Sequence, residues 1–314
     1  MARISQLRLL LLAGLLAAAS GGQVELNPAA PRDSSVIRVD VDLVDLLCSV
    51  QDKSGNYVRG LTKDDFEIYE DGKRRPVAHF ARVEDSPLTV ALLLDVSGSV
   101  RYILDIEREA ARQFFARVLR KGDRGLLAGF AEHVMVWQDL TSKLEFLNSA
   151  LDSAGPMNAL PNQPPAHGGT LLYEAIDLVA ERKLQSLPGR KAMVLITDGE
   201  DRGSRIKLDE AVNASQQADA VIYGIYYVDP NQAYGYGLHV LERLSGPTGG
   251  STFQVGRKIS LARVFAEIEE EMRNQYAVGF APSDPTKRGV LHKVEVKVTR
   301  PEVKVRSRTG YYSK

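Results

Sequence analysis

Five side chains with only oxygen donors fall where buried strands are expected to end. Asp95, Ser97 and Ser99 follow the apolar run Ala91-Leu-Leu-Leu94, Thr170 follows Gly168-Gly169 at the start of a helical pattern, and Asp198 follows Ala192-Met-Val-Leu-Ile-Thr197. In an open α/β sheet the ligand lies beyond the carboxyl ends of the strands, so these positions gather on one side. Residues two apart in an extended segment point the same way, which lets the three oxygens of Asp-x-Ser-x-Ser converge. Gly98 lets the backbone bend between the serines. Two carboxylates and three hydroxyls, without imidazole or thiolate, suit a hard divalent ion, Mg2+ or Mn2+ with Ca2+ also compatible, rather than zinc or copper. Mg2+ takes about six ligands and two carboxylates leave it attraction for another anion, so an open coordination position is expected.

Other chemistries use the same residues less completely. An Asp or Ser at a strand-to-helix junction often caps a helix, but capping accounts for one residue per helix and not for five positions over three segments. A metal-dependent phosphohydrolase with an aspartate nucleophile after the first strand would need a second Asp where Ser97 stands. Val96-Ser-Gly-Ser-Val100 is not the Gly-x-Ser-x-Gly elbow of a serine hydrolase. Around the five positions, His167 precedes the glycine pair and Glu200 follows Asp198. Tyr234 and Tyr236 lie in a Gly- and Asn-containing segment leaving another strand, and tyrosine gives contact area at low entropy cost. These four are candidates for a ligand-binding rim.

The elements that must position the site are alternating strands and helices. Thr89 to Asp95 and Lys191 to Thr197 are continuous apolar strands, as expected for a parallel sheet covered on both faces. Tyr102 to Lys121 places Ile103, Ile106, Ala110, Phe114, Val118 and Leu119 near one helical face, and Ser260 to Arg273 carries the stripe Leu261, Val264, Phe265, Ile268 and Met272. Residues 87–273 therefore read as a doubly wound α/β domain. Residues 36–85 are β-rich, with Val39, Val41 and Leu43 alternating with polar residues, and Asp71-Gly72 read as the turn of a hairpin joining Phe66-Glu-Ile-Tyr69 to Pro76-Val-Ala-His-Phe80. Residues 274–314 are strands again, and the two ends are expected to build one small β module. Cys48, the single cysteine, shares a strand face with Leu46 and Val50 and reads as a buried hydrophobe.

The balance of 40 Lys and Arg against 40 Asp and Glu gives no field favouring nucleic acid. Residues 1–20 combine a basic start, a short apolar run and small residues, the pattern of a cleaved secretory signal. Residues 21–35 read as a linker. The expectation is a secreted or periplasmic protein without a transmembrane segment after cleavage.

Asp95-Val-Ser-Gly-Ser99, Gly169-Thr170 and Asp198-Gly199, in that order, resemble the metal-ion-dependent adhesion site (MIDAS) of von Willebrand factor type A domains. The stretch Gly60 to Gly72 and the closing Arg308-Thr-Gly-Tyr-Tyr312 further resemble a bacterial group of secreted von Willebrand A-related proteins. The resemblance implies that Asp95, Ser97, Ser99, Thr170 and Asp198 form the metal site, with Asp198 acting through water. It implies protein binding without catalysis, in which an Asp or Glu of a partner protein completes the coordination. A metal-dependent phosphohydrolase, and a structural component whose metal stabilises the fold, stand as the alternatives.

Overall fold

A computed structural model describes residues 43–83, 86–97, 104–155, 169–227, 236–256, 259–284 and 286–313. Strand β1 (Val44–Asp52) is followed by a single 3-10 turn, Lys63–Asp65, where the Asp65 carboxylate accepts from the amide and hydroxyl of Thr62 at 2.7 and 3.0 Å. Then come β2 (Phe66–Glu70), β3 (Lys73–Arg75) and β4 (His79–Arg82). The α/β part runs β5 (Leu88–Asp95), α1 (Leu104–Val118), β6 (Arg124–Phe130), β7 (Val134–Thr141), α2 (Leu144–Ser153) and α3 (Leu172–Val179), which a π-helical turn, Ala180–Leu184, continues. It goes on through β8 (Arg190–Thr197), α4 (Leu208–Gln217), β9 (Ala220–Tyr226), α5 (Tyr236–Ser245), β10 (Thr252–Gln254) and α6 (Leu261–Arg273). Strands β11 (Gln275–Phe280), β12 (Leu291–Val298), β13 (Val303–Ser307) and β14 (Gly310–Tyr312) follow. No described helix is long and apolar enough to cross a membrane.

Among the described residues the central sheet has the order β10-β9-β8-β5-β6-β7, parallel except for β7. Every residue of β5 is buried, as a strand covered on both faces requires. Val90, Leu92 and Leu94 pack with Phe114 of α1, Leu151 of α2 and Phe265 of α6. Ala91 and Leu93 face Leu172 of α3, Val212 of α4 and Leu241 of α5. This is a doubly wound α/β arrangement, and its register is what aligns the strand ends. Asp95 lies opposite Phe130, Leu94 opposite Ile196, and Thr197 opposite Tyr226.

The remaining strands form two four-stranded sheets, β13-β1-β11-β4 and β14-β12-β2-β3. Leu46, Cys48 and Val50 of the first share one core with Phe66, Ile68, Val294 and Val296 of the second. The β module from both ends of the chain is thus a small sandwich. Asp71 (φ 48°) and Gly72 (φ 78°) make a tight turn, but its second strand is β3, with Ile68 opposite Arg75. Pro76 has no N–H to extend that ladder, and the chain crosses to the other sheet, where Phe80 pairs with Val278. The alternation through Val39 and Val41 lies outside the described residues. The three-residue strands β3, β10 and β14 are too short to carry a period of their own.

The sandwich is tied to the α/β part through Glu271 of α6, which is 0% exposed. Its carboxylate accepts from Ser49 (3.1 Å), Tyr57 (3.3 Å), Ser251 (3.1 Å) and Arg306 (3.3 Å). Burial raises its pKa and Arg306 opposes the rise. Arg308 adds a second tie, pairing with Asp219 and donating to the Asp45 carbonyl at 2.7 Å. Glu271→Ala strands these donors and is expected to cost about 3 kcal/mol, read as a lowered urea midpoint at unchanged m-value. Burial pushes the Cys48 thiol up to about 12; it should ignore a disulfide reagent in the native protein and react once urea unfolds the sandwich.

Candidate metal centre

Asp95, the last residue of β5, is 1% exposed. The Ser97 amide donates to its Oδ1 at 2.9 Å and the Thr197 hydroxyl to its Oδ2 at 2.6 Å. The same Thr197 hydroxyl accepts from the Gly199 amide at 3.0 Å, joining the loop after β8 to the end of β5. Asp198 is buried, and its Oδ1 accepts from the Glu200 amide at 3.0 Å. Thr170 is fixed by paired backbone bonds with Arg202, both 2.9 Å, while Leu171 donates to the carbonyl of Ala131 just beyond β6 at 2.8 Å. The loops that carry Ser97, Thr170 and Asp198 are therefore stitched to one another beyond the strand ends.

Two glycines permit the closest approach. A Cβ on Gly199 (φ 75°) would lie 2.3 Å from the Gly237 carbonyl oxygen, and one on Gly237 would lie 1.8 Å from that of Asp198. Only a side-chain-free backbone lets the Asp198 loop rest on the first turn of α5.

The electrostatics are those of a site holding too much negative charge. Burial pushes the Asp95 pKa up to about 6 against the lowering effect of the Ser97 and Thr197 hydrogen bonds, and Asp198 adds repulsion. Among the described residues no Lys or Arg pairs with Asp95. A third acid was not expected here. The helical face proposed for α1 counted Ile106 as buried, yet Ile106 is 58% exposed and Glu107 is 1% exposed. Among the described residues neither carboxylate oxygen of Glu107 has a hydrogen-bond partner. Burial raises its pKa well above the ordinary carboxylate value, and Asp95 adds to the rise. The signal was an acid in step with Ala110, Ala111, Phe114, Phe115 and Val118, the buried stripe of the helix. Thr197 was also missed, because a threonine ending an apolar strand reads as an ordinary strand residue.

Of the rim candidates, Glu200 is half exposed and pairs with Arg202 at 2.6 Å, and Tyr236 is 79% exposed at the start of α5. Ser99, His167 and Tyr234 lie outside the described residues. Among the described residues no three His, Cys, Asp or Glu side chains cluster as a ready ligand group. A cation here would rest on two carboxylates, hydroxyls and water, a set suited to a hard ion. The buried acids, one of them without any partner, fit such a charge.

The family model of the von Willebrand factor type A domain matches residues 90–200, which include Asp95, Ser97, Ser99, Thr170 and Asp198. Among solved structures the chain is similar to the conserved hypothetical protein BatB from Bacteroides thetaiotaomicron, at 18% identity over 59% of this chain and 97% of that one, with a TM-score of 0.44. It is similar to proximal thread matrix protein 1 from the mussel byssus with a zinc-occupied MIDAS motif, at 13% identity over 66% of this chain and 50% of that one, TM-score 0.48. The vWF domain of the type V pili tip protein Mfa5 from Porphyromonas gingivalis is similar at 13% identity over 60% and 95% of the two chains, TM-score 0.45. No curated protein matches the chain.

The folded pKa of Asp95, about 6, lies above its ordinary value of 3.8. The folded protein therefore holds this proton longer than the unfolded chain, and stability falls as pH rises between those two values and stays lower above them. In chelator, Asp95→Asn is expected to be more stable than the parent at about pH 7.5, by up to about 3 kcal/mol. The gap should shrink as pH falls below about 6 and close below about pH 4 in paired thermal melts.

Proposed function

We propose that the chain is an exported, metal-dependent protein-binding protein in which Asp95, Ser97, Ser99, Thr170 and Asp198 hold Mg2+ or Mn2+. An Asp or Glu of a protein ligand fills the open coordination position. The reading is carried by one observation: Asp95 ends a fully buried strand with hydroxyl and amide donors, beside Asp198, where no described Lys or Arg pairs with it. When bound, the cation supplies attraction for an incoming carboxylate. Two carboxylates against a divalent charge, with the other donors neutral, leave that attraction intact.

Each residue then has a separable part. Asp95 supplies charge and Thr197 holds its carboxylate in place. Ser97, Ser99 and Thr170 supply neutral oxygens, and Asp198 acts through water. Glu200 and Tyr236 flank the approach, with His167 and Tyr234 as further rim positions. His79 and His292, bonded to Asp45 and Asp71 at 3.0 and 2.8 Å, belong to the sandwich and are not available to a hydrolytic centre.

The test is capture of a partner from extracellular or periplasmic extract with Mg2+, with chelator, and with Asp95→Ala. Retention is expected only for the parent in Mg2+, and equal retention under all three conditions sinks the adhesion reading. Turnover of a phosphate ester that is lost in Asp95→Ala would put a phosphohydrolase in its place. A melting temperature lowered by chelator, with no partner retained, would assign the metal a structural part.

A further inference from the structure

We infer that Glu107 is part of the cation site: a buried carboxylate on α1 that acts on the ion through its bound water, as a positioning residue and not as a direct ligand. The inference rests on the metal-binding reading above and extends it to a residue outside the motif.

Three observations place Glu107 there. It is 1% exposed with both oxygens unpartnered, whereas the other buried glutamates, Glu70 and Glu271, are satisfied by several donors each. One turn further along α1, Ala110 and Ala111 share a core with Leu94 and Val96 at the end of β5 and with Tyr227, and the charges of Asp95 and Glu107 act on one another there. Tyr227 itself sits at the carboxyl edge of the sheet, its amide donating to the Thr197 carbonyl at 3.1 Å. Glu107 therefore stands against the edge where Asp95 and Thr197 meet.

The position of Glu107 in the first turn of α1 gives it a favourable helix dipole. That gain is small against the cost of desolvating a carboxylate without a partner. Beside Asp95 and Asp198, Glu107 would find in a divalent cation the counter-charge it lacks, and in the ion's bound water a donor. Acting through water would let Glu107 serve the ion from outside the motif's own donors. Groups in this outer position hold ligands and bound water in place, and their loss costs about 10- to 100-fold in metal affinity.

The test is Mn2+ titration by calorimetry, together with thermal melts in Mn2+ and in chelator, for the parent and for E107Q, E107A, E107D and D95N. E107Q is expected to fold, to melt no lower than the parent in chelator, to bind Mn2+ about tenfold more weakly or worse, and to gain less in melting temperature from the ion. E107D keeps the charge and should recover part of the affinity. If either neutral variant, E107Q or E107A, folds and binds Mn2+ with the parent's Kd, Glu107 has no part in the site and the inference is overturned. If the folded parent binds no more Mn2+ than D95N, the metal reading itself falls and takes the inference with it. The two failures are told apart by the parent alone.

Discussion

Burying a carboxylate at the end of a strand that is itself wholly buried is the constraint around which the α/β domain is arranged. Asp95 gives up its hydration, and the fold must return donors to it. The Thr197 hydroxyl and the Ser97 amide return the donors. The Gly199–Gly237 contact and the backbone bridge between Thr170 and Arg202 exist to bring three loops near enough for this to work. The sheet register does the rest, since it sets the last residues of β5, β8 and β9 side by side.

The buried acids of the protein fall into two kinds, separated by how completely they are satisfied. Glu271 collects three hydroxyls and a guanidinium, and Glu70 collects Tyr311, the Ser283 amide and Arg75. Both join pieces of structure, and both are closed networks that leave no capacity for another group. Among the described residues Asp95 has donors from Ser97 and Thr197 but no Lys or Arg, and Glu107 has no donor. The incompletely satisfied acids stand at one edge of one sheet, and that contrast is what supports the proposal that a cation binds there.

How far the sequence could be read depended on how many residues each signal spanned. The continuous apolar runs of β5 and β8 named the parallel sheet, and the alternation of Asp-x-Ser-x-Ser singled out the residues proposed to hold the ion. α1 misled by a single residue. Ile106 and Glu107 are neighbours about 100° apart on the helix, and hydrophobicity alone turns the isoleucine inward, where the fold turns the acid. The hairpin was read with the right turn and the wrong partner, since the lack of an N–H at Pro76 acts after the turn, on the ladder. That the β module would be two facing sheets was not written in any one segment, because strand pairing across the whole chain has no local signature.

That pairing imposes an order of events. β1 lies inside its sheet, between β11 and β13, and Cys48 meets Tyr276 on one side and Ser307 on the other. During synthesis β5 and β6 can pair as soon as both exist, whereas β1 must wait for nearly the whole chain before either neighbour is made. Contacts of such sequence separation close slowly. In the interval β1 carries Leu46, Cys48 and Val50 with no sheet to receive them, an unpaired apolar strand of the kind that associates with other chains. The first of the described strands is thus among the last to find its place, and its apolar face stays open to other chains until the chain beyond α6 has turned back.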